Sequence, residues 1–175
     1  MVNSIAANDA SMLTKIPNIS IGLHFVPEEN QNIEDAITRQ IEKFVLIVGI
    51  KPSHIDIHKV RQNDIELKES VIKYAHEYGI QAHYSGAAKF INSFYGPLTN
   101  ADVSVMQLKK SIDEATDKNN ELMCHVGYCD DYLLTHSSYN NMRENELRTI
   151  CSPKIKDYIQ KQGISLINWN QINQQ

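Results

Sequence analysis

What constrains this chain most is its regular alternation of short apolar runs with amphipathic helical stretches. "NISIGLHF" (residues 18–25) reads as a strand after the Pro17 break, and "NIEDAITRQIEKFVLIVG" (32–49) reads as a helix. In that helix Ile33, Ala36, Ile37, Ile41, Phe44, Val45 and Val48 recur at three and four, and Gly49 is a natural stop. "HIDIHKV" (54–60) is the next strand, "DIELKESVIKYAHEYG" (64–79) a helix and "IQAHYS" (80–85) a short strand. "KFINSFYG" (89–96) reads as a short helix or loop, "SVMQLKKSIDEAT" (104–116) as a helix and "NELMCHVG" (120–127) as a strand. "NMRENELRTI" (141–150) is helical, and "KIKDYIQKQGISLINW" (154–169) is a helix running into a last strand. Repeated strand-then-helix units predict an α/β fold with mostly parallel strands joined by crossover helices. At 175 residues the chain is read as one domain, 1–175.

Charge and hydropathy remove several function classes. The net charge is -4, with acids and bases interspersed, so there is no basic stripe to meet a phosphate backbone and no nucleic-acid partner is expected. The longest apolar run, "FVLIVGI" (44–50), is about a third of a membrane span, and no membrane partner is expected. The opening residues lack the basic start and apolar centre of a secretory signal, which predicts a cytoplasmic protein. Three cysteines, an odd number, suit reduced thiols. Cys124 and Cys129 flank His125, but no second cysteine pair accompanies them to complete a zinc spacing.

In parallel α/β folds ligands bind at the carboxyl ends of strands. His24 closes "ISIGLH", His58 lies near the end of "SHIDIH", and His125 closes "ELMCH", although the chain holds only seven histidines. "SHIDIHKV" (53–60) also places His54, Asp56 and His58 on one strand face, where they form either the wall of a metal site or only a polar face. Neutral imidazoles with a carboxylate suit zinc or another divalent ion, and an open coordination position acidifies water. The leading class on these grounds is metal-assisted hydrolysis without a named substrate.

"GLHF" (22–25), "GIKPSHIDIH" (49–58), "SFYG" (93–96), "ELMCHVGYCD" (121–130) and "YNNMRENELRTICSP" (139–153) resemble, in order, the YdjC-like carbohydrate deacetylases, which include chito-oligosaccharide deacetylases. The resemblance covers nearly the whole chain. It implies a (β/α)-barrel-like fold, a divalent metal ion (Mg or Zn), and removal of acetyl groups from an N-acetylated sugar or oligosaccharide. Carried over by position, His24 and His58 become metal ligands, and His125 becomes the acid for the departing amine. Asp56 supports His58 or substitutes as a ligand, while Arg143 and Glu144 match an Arg-Glu pair on the substrate side.

The departures from the family pattern carry expectations of their own. The family opens with a strand ending in an Asp-Asp motif, which supplies a metal ligand and a base, and "MVN" aligns beyond it. The chain is therefore expected to be an N-terminally shortened member whose barrel is incomplete, since a closed (β/α)8 barrel takes about 250 residues. A missing first strand exposes a sheet edge, and a second copy of the chain is the simplest cover for it, giving a homodimer. Asp56, Glu28 and Glu29 are the acids open to replacing the absent aspartate. The alternative function is a catalytically inactive homologue that binds sugar, metal or protein.

Overall fold

A computed structural model describes residues 2–28, 31–59, 64–94 and 103–174. The chain divides into two compact units, Met1–Ala87 with Ile167–Gln175, and Ala88–Leu166.

The first unit is a three-stranded parallel sheet, β1 (Leu23–Phe25), β2 (His54–Ile57) and β3 (Gln81–Ala82), in the order β1-β2-β3. Helix α1 (Ile33–Val48) connects β1 to β2, and α2 (Ile65–Glu77) connects β2 to β3. Helix α1 starts where the Asn32 side chain accepts from the backbone N–H groups of Glu34 and Asp35, at 2.8 and 3.3 Å, satisfying donors that no helical carbonyl can reach. Gly49 ends it with φ 81, a left-handed conformation that costs glycine little, and its N–H returns to the Val45 carbonyl. The apolar stripe of α1 (Ala36, Ile37, Ile41, Phe44, Val48) is buried against Leu23, Phe25, Ile55 and Ile57 of the sheet and Val71 and Ala75 of α2. A 3-10 helix, Ile5–Lys15, also lies against α1, and a second, Trp169–Gln174, returns to this unit from the end of the chain.

The second unit holds a parallel pair, β4 (Lys89–Ile91) and β5 (Asn120–Leu122), connected by α3 (Val105–Asp113). Three helices follow: α4 (Asp131–His136), α5 (Met142–Ile150) and α6 (Pro153–Lys161). Phe94, Val103, Leu108 and Ile155 form its core.

The α/β class, the parallel strands and the strand-then-helix order agree with the sequence expectation. Several local expectations do not hold. The strands read at 18–25 and 120–127 shorten to Leu23–Phe25 and Asn120–Leu122, so His125 lies beyond the end of its strand rather than closing it. Residues 89–91 form a strand rather than a helix or loop, because Lys89, Phe90 and Ile91 pair with Asn120, Glu121 and Leu122. No strand forms at 164–168: Ile164 and Leu166 instead line an apolar cavity with Ile155 and Ile159 of α6. "IQAHYS" is a strand for only two residues before the chain winds into a 3-10 turn, His83–Ser85. Glu29, Val60 and the Tyr95–Gly96 end of "SFYG" lie outside the described residues. No helix among the described residues is long and apolar enough to cross a membrane.

Candidate active site

Strand alternation and register build the first cluster. On β1 and β2, Leu23, Phe25, Ile55 and Ile57 turn into the core, which puts His24, His54 and Asp56 on the opposite face. The parallel register sets His24 directly across from Asp56. His24 Nδ1 lies 2.7 Å from Asp56 Oδ2. Just past β2, the His58 backbone N–H donates to the Phe25 carbonyl at 2.7 Å, extending the ladder and bringing the His58 ring over His24. His24 Nε2 and His58 Nδ1 are 2.9 Å apart, with the rings edge to face at 87°. Buried Gln40 of α1 holds the chain leaving β1: its Nε2 donates to the Val26 carbonyl at 2.7 Å, and its Oε1 accepts from the Val26 N–H at 3.0 Å.

A carboxylate only accepts, so between neutral imidazoles the proton order is fixed. His24 carries its proton on Nδ1, toward Asp56, and accepts at Nε2 from His58 Nδ1–H. Burial pushes the His58 imidazole below its ordinary value, the charges of His24 and Lys59 act in the same direction, and Asp56 opposes them. A lowered value keeps His58 neutral, the form that donates a lone pair to a cation.

The divalent ion that the resemblance implies can be tested against these donors. Two nitrogens bound to one ion at about 2.0–2.1 Å lie roughly 2.9 Å apart at octahedral angles and about 3.3–3.4 Å apart at tetrahedral ones. The observed 2.9 Å suits the first and would have to open by a few tenths of an ångström for the second. Asp56, expected to support His58, is instead set opposite His24 by the register of β1 on β2, where its carboxylate on the far nitrogen is the outer partner that orients a ligating imidazole. His24 and His58 therefore fit two positions of a coordination sphere, provided His58 moves its Nδ1 proton to Nε2. Among the described residues no group of three or more His, Cys, Asp or Glu side chains is arranged to hold a metal ion. Glu28 is engaged by Arg39 at 3.6 Å.

His54 has a different occupation. Its ring stacks on Trp169 at 4.9 Å and 15°, and its Nδ1 meets Ser53 Oγ at 2.9 Å. A Cβ on Gly22 would collide with that ring, so a larger residue at this position of "GLH" would push the His54 ring out of its stack on Trp169. Gly22→Ala should therefore destabilise the protein by ~1–3 kcal/mol, the usual cost of overpacking, as measured by urea unfolding. Gly22→Ala combined with His54→Ala should recover part of the loss.

The second unit gathers His125, Arg143 and Glu144. His125 follows β5 by three residues, and its backbone N–H donates to Glu146 Oε2. The other oxygen of Glu146 accepts from the Tyr139 hydroxyl, and Glu146 is fully buried. The Tyr139 ring lies 5.9 Å from the His125 ring. Glu144 Oε1 accepts from the Cys129 N–H at 2.9 Å. Arg143 donates from Nε to the Tyr139 carbonyl at 2.8 Å, with its guanidinium 5.6 Å from that ring. Two carboxylates of α5 thus hold the loop that carries His125 at both ends. Although Cys124 is exposed as a residue, desolvation of its thiol, and then the charge of Glu146, push that thiol up. Cys129 is raised by desolvation first, then by Glu144 and Asp130, with Arg143 opposing. Neither is poised as a thiolate. Sequence reasoning missed Glu146, Tyr139 and Gln40; an acid in the polar helix "NMRENELRTI" reads as solvated, and only its partners reveal otherwise.

His24, Asp56 and His58 belong to the first unit, and His125, Arg143 and Glu144 to the second. The model of the YdjC-like protein family matches residues 27–161. A carbohydrate deacetylase of Clostridium beijerinckii is 31% identical over 81% of this chain and 62% of its own length. One from Vibrio parahaemolyticus is 30% identical over 90% of this chain and 69% of its own. A chitooligosaccharide deacetylase of Yersinia enterocolitica is 28% identical over 77% of this chain and 58% of its own. A crystal structure from Enterococcus faecalis V583, of a protein provisionally named for cellobiose-phosphate cleavage, superposes with a TM-score of 0.70 at 22% identity. That superposition covers 82% of this chain and 62% of the other. The chain belongs to the YdjC-like family. It spans about 62% of the length of the Clostridium relative.

Proposed function

We propose that this chain is a metal-dependent hydrolase that removes acetyl groups from N-acetylated sugars. The observation that carries the reading is the hydrogen-bonded series Asp56–His24–His58 at the carboxyl ends of adjacent parallel strands. Relatives named carbohydrate deacetylase and chitooligosaccharide deacetylase supply the substrate class. His24 and His58 would hold the ion, and Asp56 would keep the His24 ring turned toward it. When bound, a divalent ion supplies polarisation of the acetamide carbonyl and a lowered pKa for water. The family resemblance alone gives His125 the part of acid to the sugar nitrogen as the amine departs, a role worth about 10²–10⁴-fold in rate. Glu146 fixes the backbone from which His125 projects, and Arg143 and Glu144 serve the substrate side.

Purified protein with zinc or magnesium should release acetate from N-acetylglucosamine oligomers, followed by a coupled acetate assay. A turnover no faster than buffer with every divalent metal tried would refute the reading. A second reading, a sugar-, metal- or protein-binding homologue without turnover, is favoured by the two-donor count among the described residues. Sugar binding or metal uptake without acetate release is its signature.

A further inference from the structure

The loop between β5 and α4 presents a tyrosine that the chemistry above does not use. Tyr128 is 82% exposed, yet it borders a cavity of about 310 Å³ whose other walls are Glu144, Leu147, Arg148 and Cys151. Helix α5 places Glu144, Leu147 and Arg148 on one face by their spacing of three and four. The Cys129 N–H bond to Glu144 fastens the loop one residue beyond Tyr128, which holds the ring beside that face.

The cavity combines an aromatic surface, an apolar floor, an acceptor and a donor. The Arg148 guanidinium gives Asn145 Oδ1 one bond, from Nη1 at 3.2 Å, and carries five N–H donors in all. A carboxylate beside the guanidinium offsets its charge, so the site disfavours a phosphate or another strong anion. Sugar hydroxyls donate and accept at once, and a pyranose has a C–H face that packs on an aromatic ring. At about 310 Å³ the cavity lies at the low end of small-ligand pockets, ~300–1,000 Å³, the scale of a single sugar ring rather than a long chain.

We propose that this cavity is a sugar-ring subsite, with Tyr128 stacking on the pyranose, Glu144 accepting from its hydroxyls and Arg148 donating to them. The inference rests on the deacetylase reading for its substrate class, but it concerns binding and needs no turnover.

The experiment titrates N,N′-diacetylchitobiose into the full-length protein by calorimetry without added metal, alongside the acetate assay. Tyr128→Ala should raise Kd about tenfold, the scale of a buried aromatic anchor, and Tyr128→Phe should change it less than twofold. Arg148→Ala should raise it roughly threefold or more. An exposed side chain supports little of the fold, so the melting temperature of Tyr128→Ala should match the parent's. Acetate release with the same KM in Tyr128→Ala and parent would overturn the subsite while leaving the deacetylase reading intact. Tyr128-dependent binding without acetate release would do the reverse. An absence of measurable binding by the parent would overturn the subsite outright.

Discussion

His24→Ala is expected to abolish metal-dependent acetate release, by more than about 100-fold, while leaving the fold intact. Losing an outer partner of a ligand typically costs roughly 10–100-fold in metal affinity or activity, and removing the ligating imidazole itself should exceed that. The structural consequences point the other way. The His24 and Asp56 side chains are each 37% exposed, so water can replace the lost hydrogen bonds. A small loss of stability beside a large loss of activity and of bound metal separates a ligand from a scaffold histidine. Asp56→Asn makes the complementary case. An asparagine retains a carbonyl acceptor for His24 Nδ1–H but removes the charge, and the expected loss is within the 10–100-fold range of an outer partner. If Asp56→Asn is as damaging as His24→Ala, Asp56 binds the ion directly. Acetate yield and metal content by atomic emission, measured on all three proteins, decide between these outcomes.

How much of this was legible in the sequence depended on how far apart the interacting residues lie. Helix α1 was legible almost to the residue, because its cap, its stripe and its terminal Gly49 all lie within one window. The His24, Asp56 and His58 cluster was partly legible: alternation gives the face of each strand, but only the register of β1 on β2 puts His24 opposite Asp56. His54 shows the limit of the same argument. Alternation places it on the polar face with Asp56, yet its ring is taken up by Trp169, more than a hundred residues further along the chain. Strand β4 was not legible, since three residues, "KFI", carry too short a pattern and owe their conformation to a partner strand. The expected last strand failed for the opposite reason. "ISLIN" has strand-like residues, but its apolar side chains face the cavity beside α6 rather than a neighbouring strand.

Glu146 is the residue whose importance was least legible, and its replacement carries the largest expected stability effect. Its carboxyl group has no exposure and accepts from two donors, the His125 backbone N–H and the Tyr139 hydroxyl. Glu146→Ala leaves both without their acceptor and opens a cavity. At about 1–3 kcal/mol for each buried group left unsatisfied, the expected loss is ~3–5 kcal/mol, a large part of the stability of a domain this size. Glu146→Gln keeps the shape and one carbonyl acceptor, but its amide NH₂ then faces the second donor. The expected loss is about half as large. Because Glu146 belongs to the second compact unit, the loss should fall on the unfolding transition of that unit, seen as a shift in one phase of a urea melt if the units unfold separately. Tyr139→Phe isolates one of the two bonds and should cost about 1 kcal/mol. A Glu146→Ala protein as stable as the parent would mean that water reaches these donors. The loop carrying His125 would then owe its position to Glu144 and the Cys129 N–H alone.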